Sequence, residues 1–187
     1  TYKYAGVFAR LNYIHNNRYI INVNGRRDGS SRFGPGKQFG NFGAIGAGWI
    51  FTAEPMIQKA IPMLTYGKLR GSFGTTGNDN IGNYEYLSRW ASSSSRGLPF
   101  PGGSAFLPQN HYNPDFSWSV TRKMEAGLDL GFWKEKILLN ITWFRHRSGN
   151  QLVNYRLASQ TGFSGVTANF PALVQNKGWE ISLSTTN

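Results

Sequence analysis

The chain has 187 residues, of which 23 are glycine, 15% are aromatic and only 16% are charged, a balance that favours strands and turns over helices. Its 20 Lys and Arg outnumber 9 Asp and Glu, giving a formal charge of +11, but the basic residues are scattered and not interleaved with aromatics as a nucleic-acid groove requires. No run reaches the roughly 18 apolar residues of a spanning helix, so any membrane location has to be built from strands, and the lack of cysteine excludes disulfides and thiolate metal sites.

Thr1 to Arg10 lacks the basic-then-apolar order of a secretory leader. Alternation with period two then begins: Val7, Ala9, Leu11 and Tyr13 oppose Arg10 and Asn12, with Phe8 as the exception on the polar side. His15 to Arg18 has the composition of a hairpin turn, and in the next strand Tyr19, Ile21 and Val23 oppose Asn22, Asn24 and Arg26, with Ile20 as the exception. From Asp28 to Ser31 the residues suit a turn in which Asp28 accepts backbone hydrogen bonds and Gly29 takes positive φ. That turn accounts for the Arg26–Arg32 stretch without a ligand, although its arginines also suit an acidic lipopolysaccharide or cargo.

A glycine-rich strand follows over Asn41–Thr52, and Glu54–Ala60 is set for one or two helical turns between Pro55 and Pro62. Tyr66–Gly74 places Leu69 and Phe73 against Lys68, Arg70 and Ser72. The clearest strand, Lys123–Trp133, sets Met124, Ala126, Leu128, Leu130 and Phe132 against Lys123, Glu125, Gly127, Asp129 and Gly131. Lys134-Glu135-Lys136 reads as a tight turn to a partner strand with Ile137, Leu139, Ile141 and Trp143 on one face and Asn140 and Thr142 on the other, blurred by Leu138 and Phe144. The last strand sets Trp179, Ile181 and Leu183 against Glu180, Ser182 and Ser184, for about seven principal strands in all.

The connections alternate between compact (15–18, 53–65, 134–136) and long (29–40, 75–115, 147–172), as in barrels with short periplasmic turns and long extracellular loops. A soluble sandwich also alternates, but its strands are commonly nearer five or six residues, whereas several here reach about 9 to 11, enough for a tilted strand to cross hydrocarbon. Charges oppose the aliphatic residues, so Lys68, Arg70, Glu125 and Asp129 are expected to face a lumen. Tyr19, Trp49, Phe132, Trp133 and Trp179 are placed near strand ends, where an interfacial belt belongs. Seven strands cannot close such a barrel, so the chain is expected to be part of a larger wall.

Arg26-Arg27-Asp28-Gly29-Ser30-Ser31-Arg32-Phe33-Gly34, followed by Gly46-Ala47-Gly48-Trp49, resembles a stretch of the SusC/RagA family of TonB-linked outer-membrane transporters. The resemblance continues in family order through Lys68–Asn78, Ile81–Tyr84, Gly127–Phe132, Thr161–Asn169 and Asn176–Glu180. It implies an all-β, antiparallel transmembrane barrel of roughly 22 strands with an internal plug. Residues 1–187 would be a late section of that barrel, with the plug and amino-terminal segments absent. It further implies import of oligosaccharide or peptide across the bacterial outer membrane, a SusD-like surface lipoprotein as partner, and TonB engaged through the missing amino-terminal region. Outer-membrane lipid would surround the wall.

No catalytic, metal or cofactor signature accompanies this pattern: His15, His111 and His146 are dispersed, the carboxylates form no hydrolase motif, and Gly34-Pro35-Gly36-Lys37 lacks the P-loop pattern. The expected activity is therefore transport and not catalysis. Trp90, Phe100, Tyr112 and Trp118 occupy or border the longest loop and are the candidates for stacking on a ligand, with packing of the loop upon itself as the alternative. Two other readings remain at this point, a soluble all-β glycan-binding module and a passive porin.

Overall fold

The computed structural model describes residues 1–92, 106–163 and 165–186. Seven long strands form one antiparallel sheet: β1 (Tyr4–His15), β2 (Tyr19–Ser30), β3 (Phe39–Trp49), β4 (Leu64–Asn78), β7 (Ser119–Phe132), β8 (Ile137–Gly149) and β11 (Val174–Thr185). They neighbour one another in chain order, the up-and-down arrangement of a barrel wall. They run to 11 to 15 residues, and β4, β7 and β8 are longer than expected from the sequence, because the glycine- and threonine-rich end of β4 and the basic end of β8 keep pairing with the start of β7 beyond the apolar stretch.

Two short hairpins lie within segments read as loops, β5 (Arg89–Ser92) with β6 (Phe106–Asn110), and β9 (Gln151–Arg156) with β10 (Gly165–Phe170). Alternation over four to six residues is too brief to separate such hairpins from loop. The compact connections match expectation. Asn16 and Asn17 adopt φ of 50° and 53° between β1 and β2, the left-handed conformation that asparagine tolerates best among residues with a Cβ. A helix α1 (Pro55–Ala60) starts with proline at its first position. Trp133, Lys134 and Glu135 all have positive φ in the turn from β7 to β8, an unfavourable backbone for three successive non-glycine residues.

Register fixes the two faces, because directly paired residues share a side. Leu69, Leu128 and Ile141 form a row with Ile181, and Leu139 pairs with both Leu130 and Leu183. On the other side Lys68 pairs with Asp129, Asp129 with Asn140, and Asn140 with Ser182. Among the described residues no second sheet covers the apolar face: Leu11 is 67% exposed and Ile181 69%, while Leu128, Leu130, Leu139 and Ile141 are only half-buried by their neighbours in the sheet.

The sandwich alternative needs that face buried, so the open sheet removes its physical basis. Tyr19 pairs with Trp49 near the short-turn end, and Phe132 and Trp133 stand beside the next turn. Trp179, expected near a strand end, lies well inside β11. It nevertheless pairs with Trp143 where the aliphatic residues of that face give way to basic ones.

The buried aromatic cluster sits at the long-loop end, where Phe33, Phe42, Phe116 and Trp118 pack together. Glycines make room for it. A Cβ on Gly77 or on Gly40 would collide with the Phe42 ring, so bare backbone in the adjacent β4 and in the ring's own strand β3 makes room for it.

Candidate functional site

The polar face carries a connected network across β4, β7 and β8. Arg70 donates from Nη2 to Thr142 Oγ1 at 2.7 Å, and its Nε lies 3.4 Å from Asp129 Oδ2. Asn140 donates to the same carboxylate, and Thr142 donates in turn to Asn140 Oδ1 at 3.1 Å. Gly127 permits this arrangement, since a Cβ there would meet the Arg70 guanidinium at 2.6 Å. Glu125 faces His146, with Oε1 3.3 Å from Nε2.

Lys68 borders a shallow depression with Arg70, Glu125, Gly46 and Gly48. Asn22 also lines it, and its Oδ1 is a buried acceptor with no hydrogen-bond partner among the described residues. The four residues expected to face a lumen, Lys68, Arg70, Glu125 and Asp129, therefore share one face; Arg70 and Asp129 are joined with Asn140 and Thr142 in the network, and Glu125 pairs separately with His146. Their polar positions were legible, but the pairing that joins Arg70 to a residue 72 positions away was not.

The loop aromatics separate into different environments. Trp90, on β5, is 60% exposed and Tyr112 is 52% exposed, so each presents a ring outward. Trp118 is only 7% exposed, with ring centroids 5.1 Å from Phe33 and 5.5 Å from Phe42, and its Nε1–H donates to Gln38 O at 3.1 Å. The expectation that Trp118 offers a stacking face does not fit this packing. It follows the alternative, a loop packed on itself, because a ring enclosed by other rings has no face left for a ligand. Phe100 lies outside the described residues.

The Arg26–Arg32 stretch has the structural role expected of it, by different means. Gly29 remains in β2, paired with Ala5 and Phe39, without the positive φ foreseen. A Cβ at Gly29 would meet the Phe39 ring at 2.7 Å, so glycine serves close approach and not a left-handed turn. Asp28, expected to cap backbone N–H groups, instead receives the Arg26 guanidinium through two contacts at 2.6 and 2.8 Å. Arg32 ties the following loop to the next one: its Nη1 donates to Asp79 O at 2.9 Å and its Nε to Asn83 Oδ1 at 3.2 Å, with the Tyr2 ring beneath it.

Ser30 and Tyr2 both donate to Asp79 Oδ2, at 2.8 and 2.9 Å. Desolvation first, and the Asp79 carboxylate second, raise the Tyr2 phenol above its ordinary pKa and keep it a donor. Among the described residues no three His, Cys, Asp or Glu side chains gather as metal ligands, and no helix is long and apolar enough to cross a membrane.

A single uncovered sheet with one aliphatic face, crossing-length strands and alternating short and long connections is barrel architecture, and similarity decides which barrel. Residues 1–186 match the family model described as TonB dependent receptor-like, beta-barrel. The chain belongs to this family.

The TonB-dependent receptor P39 of Formosa agariphila is 32% identical over 184 residues, which cover 98% of this chain and 17% of that protein. The TonB-dependent receptor SusC of Bacteroides thetaiotaomicron is 31% identical over 182 residues, covering 95% of this chain and 18% of that protein. The fold superposes on the RagAB peptide transporter with a TM-score of 0.89 at 25% identity, over 100% of this chain and 20% of that one. The siderophore receptor PirA from Pseudomonas aeruginosa, at 14% identity and a TM-score of 0.61, shares the fold alone. The SusC/RagA resemblance read from the motifs is thus met, and the location is the bacterial outer membrane. The chain spans less than a fifth of the curated relatives it matches.

Proposed function

We propose that this chain is barrel wall of a TonB-dependent importer that brings oligosaccharide or peptide nutrients across the outer membrane. The observation that carries the reading is the overlap of the whole chain with a peptide transporter, at a TM-score of 0.89. In this reading residues 1–187 are one section of a plugged barrel of roughly 22 strands, and the rest of the protein supplies the plug and the TonB-engaging segment. The chain performs no catalysis; its chemistry is recognition and passage.

The polar face borders the lumen. Lys68, Arg70, Glu125 and Asp129 present charge to plug or cargo, and the unpartnered acceptor of Asn22 offers a hydrogen-bond site in the depression between them. The long loops face a SusD-like surface lipoprotein. Exposed Trp90 and Tyr112 supply rings for stacking at that mouth, and the similarity to SusC and to RagAB supports the lipoprotein partner.

The test uses the full-length protein in its native host, with uptake of labelled oligosaccharides and peptides measured with and without TonB. Uptake of one cargo class that stops when TonB is removed is the expected result. Uptake that persists without TonB identifies a passive porin and overturns the proposal. Purification behaviour addresses the third reading: a barrel requires detergent and migrates differently before and after heating, whereas a soluble glycan-binding module does neither.

A further inference from the structure

The charges of the seven-stranded sheet are distributed unequally between its faces. Its acidic residues, Asp28, Glu125, Asp129 and Glu180, all stand on the polar face. The apolar face nevertheless carries cations, and four of them gather on β7, β8 and β11 at the long-loop end. Arg122 pairs directly with Arg147, and Arg145 directly with Lys177. None of the four makes an ion pair among the described residues; Arg147 donates instead from Nε to the neutral Gln175 Oε1 at 2.6 Å.

Like charges directly opposite one another destabilise a strand pair, and here two such pairs lie side by side without a carboxylate between them. Position identifies what offsets the repulsion. Moving along β8 toward the long loop, the apolar face reads Ile137, Leu139, Ile141, Trp143, then Arg145 and Arg147. Trp143 pairs with Trp179, so an aromatic pair closes the aliphatic stretch and the cations begin one step beyond it. In an outer-membrane barrel an aromatic girdle marks the edge of the hydrocarbon, and the layer just outside it holds lipid head groups. Arg145 and Arg147 are half-buried, as expected of long stems lying on the wall with their guanidinium groups lifted to that layer.

We propose that Arg122, Arg145, Arg147 and Lys177 form a binding patch for the phosphate groups of an outer-leaflet glycolipid. Guanidinium pairs phosphate through two parallel N–H···O bonds, and an anion seated between the opposed cations removes their mutual repulsion. The fifth cation of this face, Arg27, stands apart over the Phe39 ring at 5.1 Å and is not part of the patch. The patch rests on the apolar face meeting lipid, the same placement on which the importer reading depends.

The test uses the full-length transporter in detergent, with bisphosphorylated lipid A as the probe and native mass spectrometry counting retained lipid. Replacing all four residues by glutamine is expected to weaken retention by at least about tenfold, because each head-group contact of a basic residue contributes independently. The wild type should also prefer the phosphorylated probe over the same lipid after enzymatic removal of its phosphates. Lys123→Gln removes a neighbouring charge from the opposite face and should leave retention unchanged. Heat-modifiable migration of the variants confirms that the barrel has formed, which separates failure of the patch from failure of the barrel reading, and a set with Arg122, Arg145 and Arg147 replaced by lysine keeps the charge if the glutamine protein does not assemble. Equal retention by wild type and the glutamine variant, equal binding of the dephosphorylated lipid, or displacement of the probe by millimolar inorganic phosphate alone would overturn the proposal.

Discussion

The long-loop rim and the membrane span use hydrophobic residues for opposite purposes. At the rim Phe33 and Phe116 are 0% and 1% exposed and pack against Phe42 and Trp118, as in the core of a soluble domain. In the span the aliphatic residues of β1 and β11 are exposed and those of β7 and β8 only half-buried, so that face remains open. The difference shows that in this protein burial by the chain itself distinguishes rim from wall, while the wall draws its apolar surroundings from lipid. Specific partners within the span belong instead to the polar face, where Arg70, Asp129, Asn140 and Thr142 hold one another.

Substitutions in the full-length protein test that contrast. The largest effect is expected for Phe33→Ala, which empties a fully enclosed ring site and should lower the local stability of the rim by about 3–5 kcal/mol, read as lost amide-exchange protection around Ser30 and Phe33. Leu139→Arg places a charge on the lipid side of the span and should destabilise the barrel by about 2–4 kcal/mol in urea unfolding from lipid vesicles. The same change at a chain-packed site would act through overpacking; here it should act through the bilayer, so thinning the membrane should soften it.

Arg70→Met removes the cation from a half-exposed network and leaves Asp129 with its Asn140 bond alone; a loss of about 1–2 kcal/mol is expected in the same unfolding assay. A loss as large as that of Leu139→Arg would place the network, and not the lipid-facing side, at the centre of the wall's stability. The smallest effect is a gain. Lys134→Gly relieves one of three consecutive positive-φ positions and should stabilise the β7–β8 hairpin by roughly 1 kcal/mol, visible as slower unfolding.

The wall was legible because its determinants are local. A strand that separates two media must alternate at every second residue, and a tight turn must contain residues that tolerate its backbone, as Asn16 and Asn17 do. The β5–β6 and β9–β10 hairpins escaped notice because short pairings leave little periodicity. Gly29 shows a subtler failure: glycine next to aspartate suggests a turn, yet the position is extended and glycine is required by the Phe39 ring of the adjacent strand. Trp118 likewise reads as a free loop aromatic until Phe33 and Phe42, from earlier strands and loops, are brought around it.

The sequence alone determined the number of long strands, the identity of their two faces and the order of short and long connections, since each follows from neighbours within a few residues. Only the tertiary structure decided the register, and with it every relation that spans a loop: Arg70 with Thr142, Phe42 over Gly77, Arg122 opposite Arg147. Alternation states which side a residue is on. It does not state which residue stands beside it, because sliding a strand by two positions preserves the faces while changing every partner.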